Sequence, residues 1–208
     1  MARRDRRVRQ HVNPLGLAYI EPRAVPVPPP PALATAPVEV ELGCADGQFS
    51  FQLAAAHPDV FVVGLDIRER VIDRNRRASA ATANLEFGYV NLNVDLDRVF
   101  APDSVRRFHV LFPDPWFKSK HHKRRVLEPG LLATMHTQLT EDGELHFASD
   151  VFEVALAAMA EIEEAPGFDN FLAPWSFWRG NPFAGQSRRE DTTIARGQRV
   201  WRMRYRRT

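Results

Sequence analysis

Residues 38–66, VEVELGCADGQFSFQLAAAHPDVFVVGLD, contain a strand, a loop, a helix and a second strand. Val38–Leu42 is rich in strand-forming residues, and a loop bounded by two glycines follows it at residues 43–47. Residues 49–56 carry apolar side chains at helical spacing. Residues 60–65 form a continuous apolar run, which is typical of a parallel strand that is buried on both faces.

The same alternation continues toward the C-terminus. Helices are predicted over residues 68–81, 130–139 and 152–163, and strands over residues 84–90, 108–112, 144–148, 168–172 and 200–205. This order predicts an α/β fold with a doubly wound, mostly parallel sheet. The two final strands are expected to form an antiparallel edge, with the C-terminal one outermost.

The first 36 residues differ in composition from the rest of the chain. Residues 1–10 carry five Arg, and residues 26–31 read PVPPPP. We expect residues 1–36 to form a basic and then Pro-rich arm without a packed core, since proline-rich segments are stiff and solvated. A single domain is expected over residues 37–208, because that length suits one well-buried α/β unit.

Acidic and amide side chains follow four of the predicted strands at their carboxyl ends, where open α/β sheets bind ligands. They are Glu41, Asp66, Asn91 and Asp114. The dinucleotide motif G-x-G-x-x-G is absent, and the acids near the loop would repel a pyrophosphate. The loop reads E-x-G-x-x-x-G, with Gly43 and Gly47 allowing a ligand to approach the backbone. It resembles the cofactor loop of class I methyltransferases, and it suits S-adenosylmethionine, which carries an ammonium and a sulfonium.

Residues 113–125 read PDPWFKSKHHKRR. They resemble the signature of the tRNA (guanine-N7)-methyltransferase family, P-D-P-W-x-K-x-x-H-x-K-R-R, and match it at every fixed position. The resemblance runs from about residue 38 to residue 205. It implies a class I, Rossmann-like methyltransferase with a seven-stranded sheet and S-adenosylmethionine as methyl donor. The implied acceptor is the variable-loop guanosine of tRNA at tRNA position 46.

The resemblance also implies roles for individual residues. The cofactor would be bound by Glu41, Gly43, Gly47, Asp66, Asn91 and Asp114, with Asp114 also at the catalytic centre. Substrate would contact Lys118, Asp150, Ser187, Arg188, Arg189 and Glu190, and the tRNA backbone would contact Lys120, Lys123, Arg124 and Arg125. Trp116, Trp175 and Trp178 are candidates to stack on an unpaired base, with ordinary packing as the alternative.

Methylation at guanine N7 explains why a carboxylate would suit the centre. The N7 lone pair is free at neutral pH, so no base is needed and the protein's task is positioning and electrostatics. A carboxylate at Asp114 would stabilise the positive charge that the purine gains. It would also accept hydrogen bonds from guanine N1–H and N2–H₂.

Three places depart from the family pattern. Ala45 stands where the family loop usually has glycine, and its extra methyl is tolerable if its φ is negative. Thr192 stands where a basic residue is common. Residues 187–190, SRRE, replace the family's T-x-[FY]-E, so an aromatic residue is lost at Arg189. This substitution leaves two alternatives open: a methyltransferase that acts on a different RNA or small substrate, and a catalytically weak RNA-binding paralogue.

Basic clusters on a nearly neutral chain indicate a polyanionic partner. The net charge is +2, yet residues 118–125 and 196–207 are dense in Lys and Arg. In residues 200–205, Arg202 and Arg204 alternate with apolar side chains, which predicts a strand with one basic face that contacts RNA or protects an exposed edge.

Cys44 is the single cysteine, so no intramolecular disulfide can form. No apolar stretch is long enough for a membrane span, and the sequence lacks the apolar core of a secretory signal. No Cys, His and acid set has metal-ligand spacing. We therefore expect a cytoplasmic protein without a metal or a membrane partner, as a monomer or a homodimer.

Overall fold

A computed structural model describes residues 12–14, 16–113 and 127–208, and it contains one seven-stranded sheet. The strands are β1 (Val38–Leu42), β2 (Phe61–Asp66), β3 (Leu85–Tyr89), β4 (Val105–Leu111), β5 (Leu139–Ser149), β6 (Phe168–Asn170) and β7 (Trp201–Arg207). Their order across the sheet is β3-β2-β1-β4-β5-β7-β6. Strands β1 to β5 pair in parallel, and β7 runs antiparallel to both of its neighbours.

Within the part of the chain that the structure describes, five α-helices accompany the sheet. They are α1 (Gln48–Ala56), α2 (Glu69–Ser79), α3 (Pro129–Gln138), α4 (Phe152–Glu164) and α5 (Arg188–Ala195), with short 3₁₀ turns at Pro31–Leu33 and Leu96–Arg98. Apolar side chains of α1 and α2 belong to one core cluster, and those of α3 and α4 belong to the other. The predicted α/β class and the mostly parallel seven-stranded sheet are thus confirmed. None of the described helices is long and apolar enough to cross a membrane.

The C-terminal strand lies one position in from the edge, because β6 pairs along its outer side. Two arginines of its basic face, Arg202 and Arg204, are also covered by the rest of the protein. Arg202 is only 7% exposed and pairs with Glu190, and Arg204 lies 2.8 Å from the carboxylate of Glu144. The expectation of an exposed basic edge strand was wrong, since each of these two arginines has a carboxylate partner within the fold.

The proline-rich segment packs on the domain, contrary to our expectation for residues 1–36. Val27 is 8% exposed within the core cluster, and its backbone N–H donates to the carbonyl of Val99 at 3.2 Å. Asp95 is fully buried, and its carboxylate accepts hydrogen bonds from the backbone N–H groups of Arg23 and Ala24, each at 2.8 Å. A buried acid therefore holds an extended segment that composition alone suggested would be solvated.

The ring of Phe87 on β3 occupies the space beside two glycines. A Cβ atom at Gly64 on β2 would lie 2.5 Å from this ring, and one at Gly47 would lie 2.8 Å from it. Phe87 is fully buried, so the ring has little room to retreat. These two glycines let the loop after β1 and the strand β2 close against the same aromatic side chain.

We predict that Gly64→Ala lowers the free energy of unfolding by about 1–3 kcal/mol, because the added methyl overpacks the core. Urea unfolding of the purified protein measures the change. Gly130→Ala is the matched control, since nothing lies within 4 Å of a Cβ there and the residue is helical. We expect the control to be neutral or slightly stabilising, and equal effects of the two changes would refute the packing argument.

Candidate active site at the carboxyl edge of the sheet

The loop between β1 and α1 is closed onto β2 by backbone hydrogen bonds. The N–H groups of Gly43 and Cys44 both donate to the carbonyl of Leu65 at 2.8 Å. Gly43 and Gly47 have φ values of 80° and 77°, in the left-handed region that favours glycine. Because β1 and β2 pair in parallel, this loop brings Glu41 and Asp66 to the same edge of the sheet, as the sequence predicts.

Asp66 is 4% exposed and is surrounded by donors. One carboxylate oxygen accepts from the backbone N–H of Ala45 at 3.0 Å, and the other accepts from the backbone N–H of Arg68 at 2.9 Å. The Arg68 guanidinium also donates to both oxygens, at 2.7 and 2.8 Å. The two backbone N–H groups and the Arg68 guanidinium together supply donors to both oxygens of this buried carboxylate.

Glu41 is 3% exposed and faces the first turn of α1. Its carboxylate accepts from the Ser50 hydroxyl at 2.5 Å and from the Ser50 backbone N–H at 3.2 Å. Burial raises the pKa of the Glu41 carboxyl to about 8, although the hydrogen bonds from Ser50 act in the opposite direction. A cationic group beside Glu41 would favour its ionised form.

Asn91 reaches the predicted edge, but its side chain contacts this chain's own backbone. Its amide nitrogen donates to the carbonyls of Pro14 and Tyr19, each at 2.8 Å. Its amide oxygen accepts from the N–H of Asn93 at 3.1 Å. The residue is fully buried, so the geometry supports anchoring of Pro14 and Tyr19 more directly than contact with a cofactor.

The segment at residues 187–190 begins helix α5, which the sequence analysis did not predict. Ser187 is the N-cap, and its hydroxyl accepts from the backbone N–H of Glu190 at 3.2 Å. The spacing S-x-x-E is a helix-start signal that would have revealed this helix. The helix lies over the cofactor loop, where Arg188 pairs with Asp46 and the Gln48 side chain donates to the carbonyl of Gln186 at 3.1 Å.

The predicted substrate residues around α5 contact one another. Arg189 lies 2.7 Å from the carboxylate of Asp150, which follows β5. Glu190 is 2% exposed and forms a buried pair with Arg202. Glu190 therefore docks α5 against β7, and removal of either partner would leave a buried charge without compensation. Arg188 and Arg189 keep 75% and 61% of their side-chain surfaces exposed and remain accessible to a substrate.

The catalytic stretch of the family signature starts at the end of β4. Phe112 has a φ of 50°, which is unusual for a bulky residue, and its N–H donates to the carbonyl of Ala148 at 2.7 Å. This left-handed residue lies at the end of β4, directly before Pro113. The predicted site residues Asp114, Lys118, Lys120, Lys123, Arg124 and Arg125, together with Trp116, lie outside the described residues.

The two other tryptophans that we considered for base stacking differ in their surroundings. Trp178 packs inside the fold, with the Arg204 guanidinium 4.6 Å from its ring centre and Phe171 on its edge. Trp175 is 55% exposed, and its backbone N–H donates to Glu163 near the end of α4. Among the described residues, no group of three or more His, Cys, Asp or Glu side chains could hold a metal ion.

Comparison with known proteins gives concordant matches. A family model described as "Putative methyltransferase" matches residues 35–203. A tRNA (guanine-N(7)-)-methyltransferase of Synechococcus sp. (strain JA-3-3Ab) is 33% identical over 94% of this chain and 84% of its own length. The corresponding protein of Thermosynechococcus vestitus is 33% identical over 97% of this chain and 95% of its own length. The chain belongs to the tRNA (guanine-N(7)-)-methyltransferase family.

A solved structure supports the fold alone. The crystal structure of the 16S rRNA methyltransferase KamB covers 83% of this chain and 88% of its own, with a TM-score of 0.57 and 20% sequence identity. The sheet is therefore the class I methyltransferase sheet that the sequence predicts, and the chain is an S-adenosylmethionine-dependent enzyme of that class.

Ala45 lies in the loop after β1, at a position where the family usually has glycine. Its φ is 48° rather than negative, so the condition for tolerating alanine without strain is not met. The loop keeps the turn that glycine permits because the Ala45 N–H must reach Asp66, and the Asn75 side chain must reach the Ala45 carbonyl at 3.0 Å. Alanine in this conformation costs about 1–2 kcal/mol of backbone strain.

We predict that Ala45→Gly raises the free energy of unfolding by up to about 1 kcal/mol, because relief of strain exceeds the entropy that glycine adds to the unfolded chain. Ala55→Gly is the matched control on the exposed face of α1 and should cost about 0.5–1 kcal/mol. Thermal and urea unfolding measure both changes. A loss at Ala45 as large as that at Ala55 would show that the backbone there is unstrained.

Proposed function

We propose that this chain transfers the methyl group of S-adenosylmethionine to N7 of a guanosine in tRNA, at the variable-loop position that the family signature implies. Support comes chiefly from residues 113–125, which match the signature at every fixed position, and from relatives of this name that align along nearly the whole chain. The sequence at residues 187–190 left two alternatives open: a methyltransferase with a different substrate, and a catalytically weak RNA-binding paralogue. Similarity along nearly the whole chain to proteins of this name favours neither of them.

The chain's own residues fit the proposed cofactor. Two buried carboxylates, Glu41 and Asp66, meet at one edge of the sheet, and a Cβ at Gly43 would meet nothing within 4 Å. Asp66 would accept the ribose hydroxyls, and Glu41 would face the ammonium, which is the charge pattern expected for this ligand. When bound, S-adenosylmethionine supplies an electrophilic methyl group. Asn91 would contribute by holding residues 14–19 beside the site.

The acceptor side of the proposal rests on Asp114, Lys118 and Asp150. Asp114 would accept hydrogen bonds from guanine N1–H and N2–H₂ and would stabilise the charge that develops on the purine. Asp150 pairs with Arg189, so this pair would contact the nucleotide together. Lys120, Lys123, Arg124 and Arg125 would bind phosphates, with Arg188 as a further cation beside the cofactor loop.

The proposed catalytic domain comprises residues 37–208, and the segment around Val27, which precedes it in the sequence, packs on that domain. An enzyme with this substrate would act in the cytoplasm.

The direct test is methyl transfer from labelled S-adenosylmethionine to unmodified tRNA, with the product nucleosides identified by mass. We predict 7-methylguanosine as the product, and at least a 100-fold loss of kcat in Asp114→Ala, because an electrostatic contact made in the transition state is removed. Cofactor binding with no methylated tRNA base would reject the proposal. Unchanged turnover in Asp114→Asn would reject the role of that carboxylate.

We predict that cofactor binding at pH 6 releases about one proton from Glu41. The raised pKa of about 8 keeps this carboxyl protonated at pH 6, and the ammonium of the cofactor would ionise it. At this pH an amino group with a pKa near 8 is already charged, so it contributes no proton of its own.

Isothermal titration in two buffers of different ionisation enthalpy measures the number of protons released. Glu41→Gln should bind more weakly and release fewer protons than the parent. Asp46→Asn serves as the control, because the Asp46 carboxylate pairs with Arg188 and is less buried than that of Glu41. Equal proton release by the parent and Glu41→Gln would show that the cofactor ammonium does not bind beside Glu41.

A further inference from the structure

Three aromatic side chains form a partly exposed cluster where β5 ends and α4 begins. Their ring centres lie 4.7 Å apart for Phe152 and Trp201, 5.0 Å for Phe177 and Trp201, and 6.1 Å for Phe152 and Phe177. Phe152 is 41% exposed, and the exposed Leu156 follows one helical turn later. We call Phe152, Phe177 and Trp201 the aromatic platform.

The platform adjoins the proposed acceptor site. Trp201 pairs with Ser149 across β5 and β7, and Asp150 is the next residue along the chain. Phe152 follows Asp150 by two positions, after a turn in which the Val151 N–H donates to the Ser149 hydroxyl at 3.1 Å. A nucleotide next to one that contacts Asp150 would therefore lie within reach of these rings.

The charge around the platform suits a nucleic acid. The Arg199 guanidinium lies 4.8 Å from the ring centre of Trp201, where it stacks on the indole. Arg199 and Arg196 are exposed, and the largely exposed Arg189 reaches Asp150 from α5. Aromatic rings interleaved with exposed arginines are the surface on which unpaired bases stack while phosphates are neutralised.

We propose that the aromatic platform stacks an unpaired tRNA base adjacent to the target guanosine, with Trp201 as the main contact and Arg199 on the neighbouring phosphate. The inference rests on the proposed function, since it takes tRNA as the substrate. Stacking is tolerant of base identity, so the platform contributes affinity and selects an unpaired loop over a duplex. The family motif has an aromatic residue at position 189, where this chain has Arg189. The platform supplies an aromatic surface at a different position.

The platform is tested with Trp201→Leu, which keeps apolar packing and removes the stacking face, and with Trp201→Phe, which restores an aromatic ring. Phe51→Leu is the matched control. Phe51 is also a half-buried aromatic residue, but it lies on α1 beside Phe87 in one core cluster, whereas Phe177 and Trp201 pack against the other cluster. The affinity of each protein for unmodified tRNA is measured by filter binding, and folding is checked by urea unfolding.

We expect Trp201→Leu to weaken tRNA binding about ten-fold, Trp201→Phe to restore most of it, and Phe51→Leu to leave tRNA affinity unchanged. An abasic nucleotide on the platform side of the target should abolish the difference between the parent and Trp201→Leu. Arg199→Gln should lower the slope of log affinity against log salt by about one, whereas Trp201→Leu should leave that slope unchanged.

Equal tRNA affinity of the parent and Trp201→Leu would overturn the inference. It would also fail if the parent were a dimer that Trp201→Leu dissociates with tRNA affinity unchanged, which sedimentation would reveal. Because binding is measured without turnover, a parent that binds tRNA through Trp201 yet transfers no methyl group would contradict the proposed function and still support the platform.

Discussion

The contact of the Phe87 ring with Gly64 and Gly47 is the constraint on which the cofactor edge depends. The ring fills space that a side chain at either glycine would need, so β2, β3 and the loop after β1 meet without a gap. With the loop held there, the Ala45 N–H reaches Asp66, and α1 starts where Ser50 reaches Glu41. The two carboxylates that suit the methyl donor are therefore positioned by packing one layer beneath them.

A second set of contacts determines which charges remain available to RNA. Across one face of the sheet, carboxylates and cations alternate between neighbouring strands. The members are Glu39, Arg107, His109, Glu144, His146, Glu190, Arg202 and Arg204. Burial lowers the pKa of His146 well below its ordinary value, so this ring stays neutral in the interior. Buried ion pairs thus involve Arg202 and Arg204 of β7, whereas Arg188 and Arg199 remain exposed.

The elements that the sequence predicted well are those with a strong local signal. Continuous apolar runs located the parallel strands, and Glu41 and Asp66 were correctly placed at one edge of the sheet, because the carboxyl ends of parallel strands necessarily meet. Contacts between residues far apart in the sequence could not be predicted from such local signals. Nothing local to Arg202 shows that Glu190 will bury it, and nothing local to Val27 shows that Asp95 will hold the preceding residues. Helix α5 is the exception, since Ser187 and Glu190 carry a capping signal.

The measurement that most directly tests the central claim locates the methyl group within the tRNA. An unmodified transcript is methylated by the chain, reduced with borohydride and treated with aniline, which cleaves the strand at 7-methylguanosine. The account predicts one cleavage, at a variable-loop guanosine, and its loss with Asp114→Ala. Methyl incorporation without cleavage, or cleavage spread over many guanosines, would contradict the claim that this site recognises and methylates one guanine at N7.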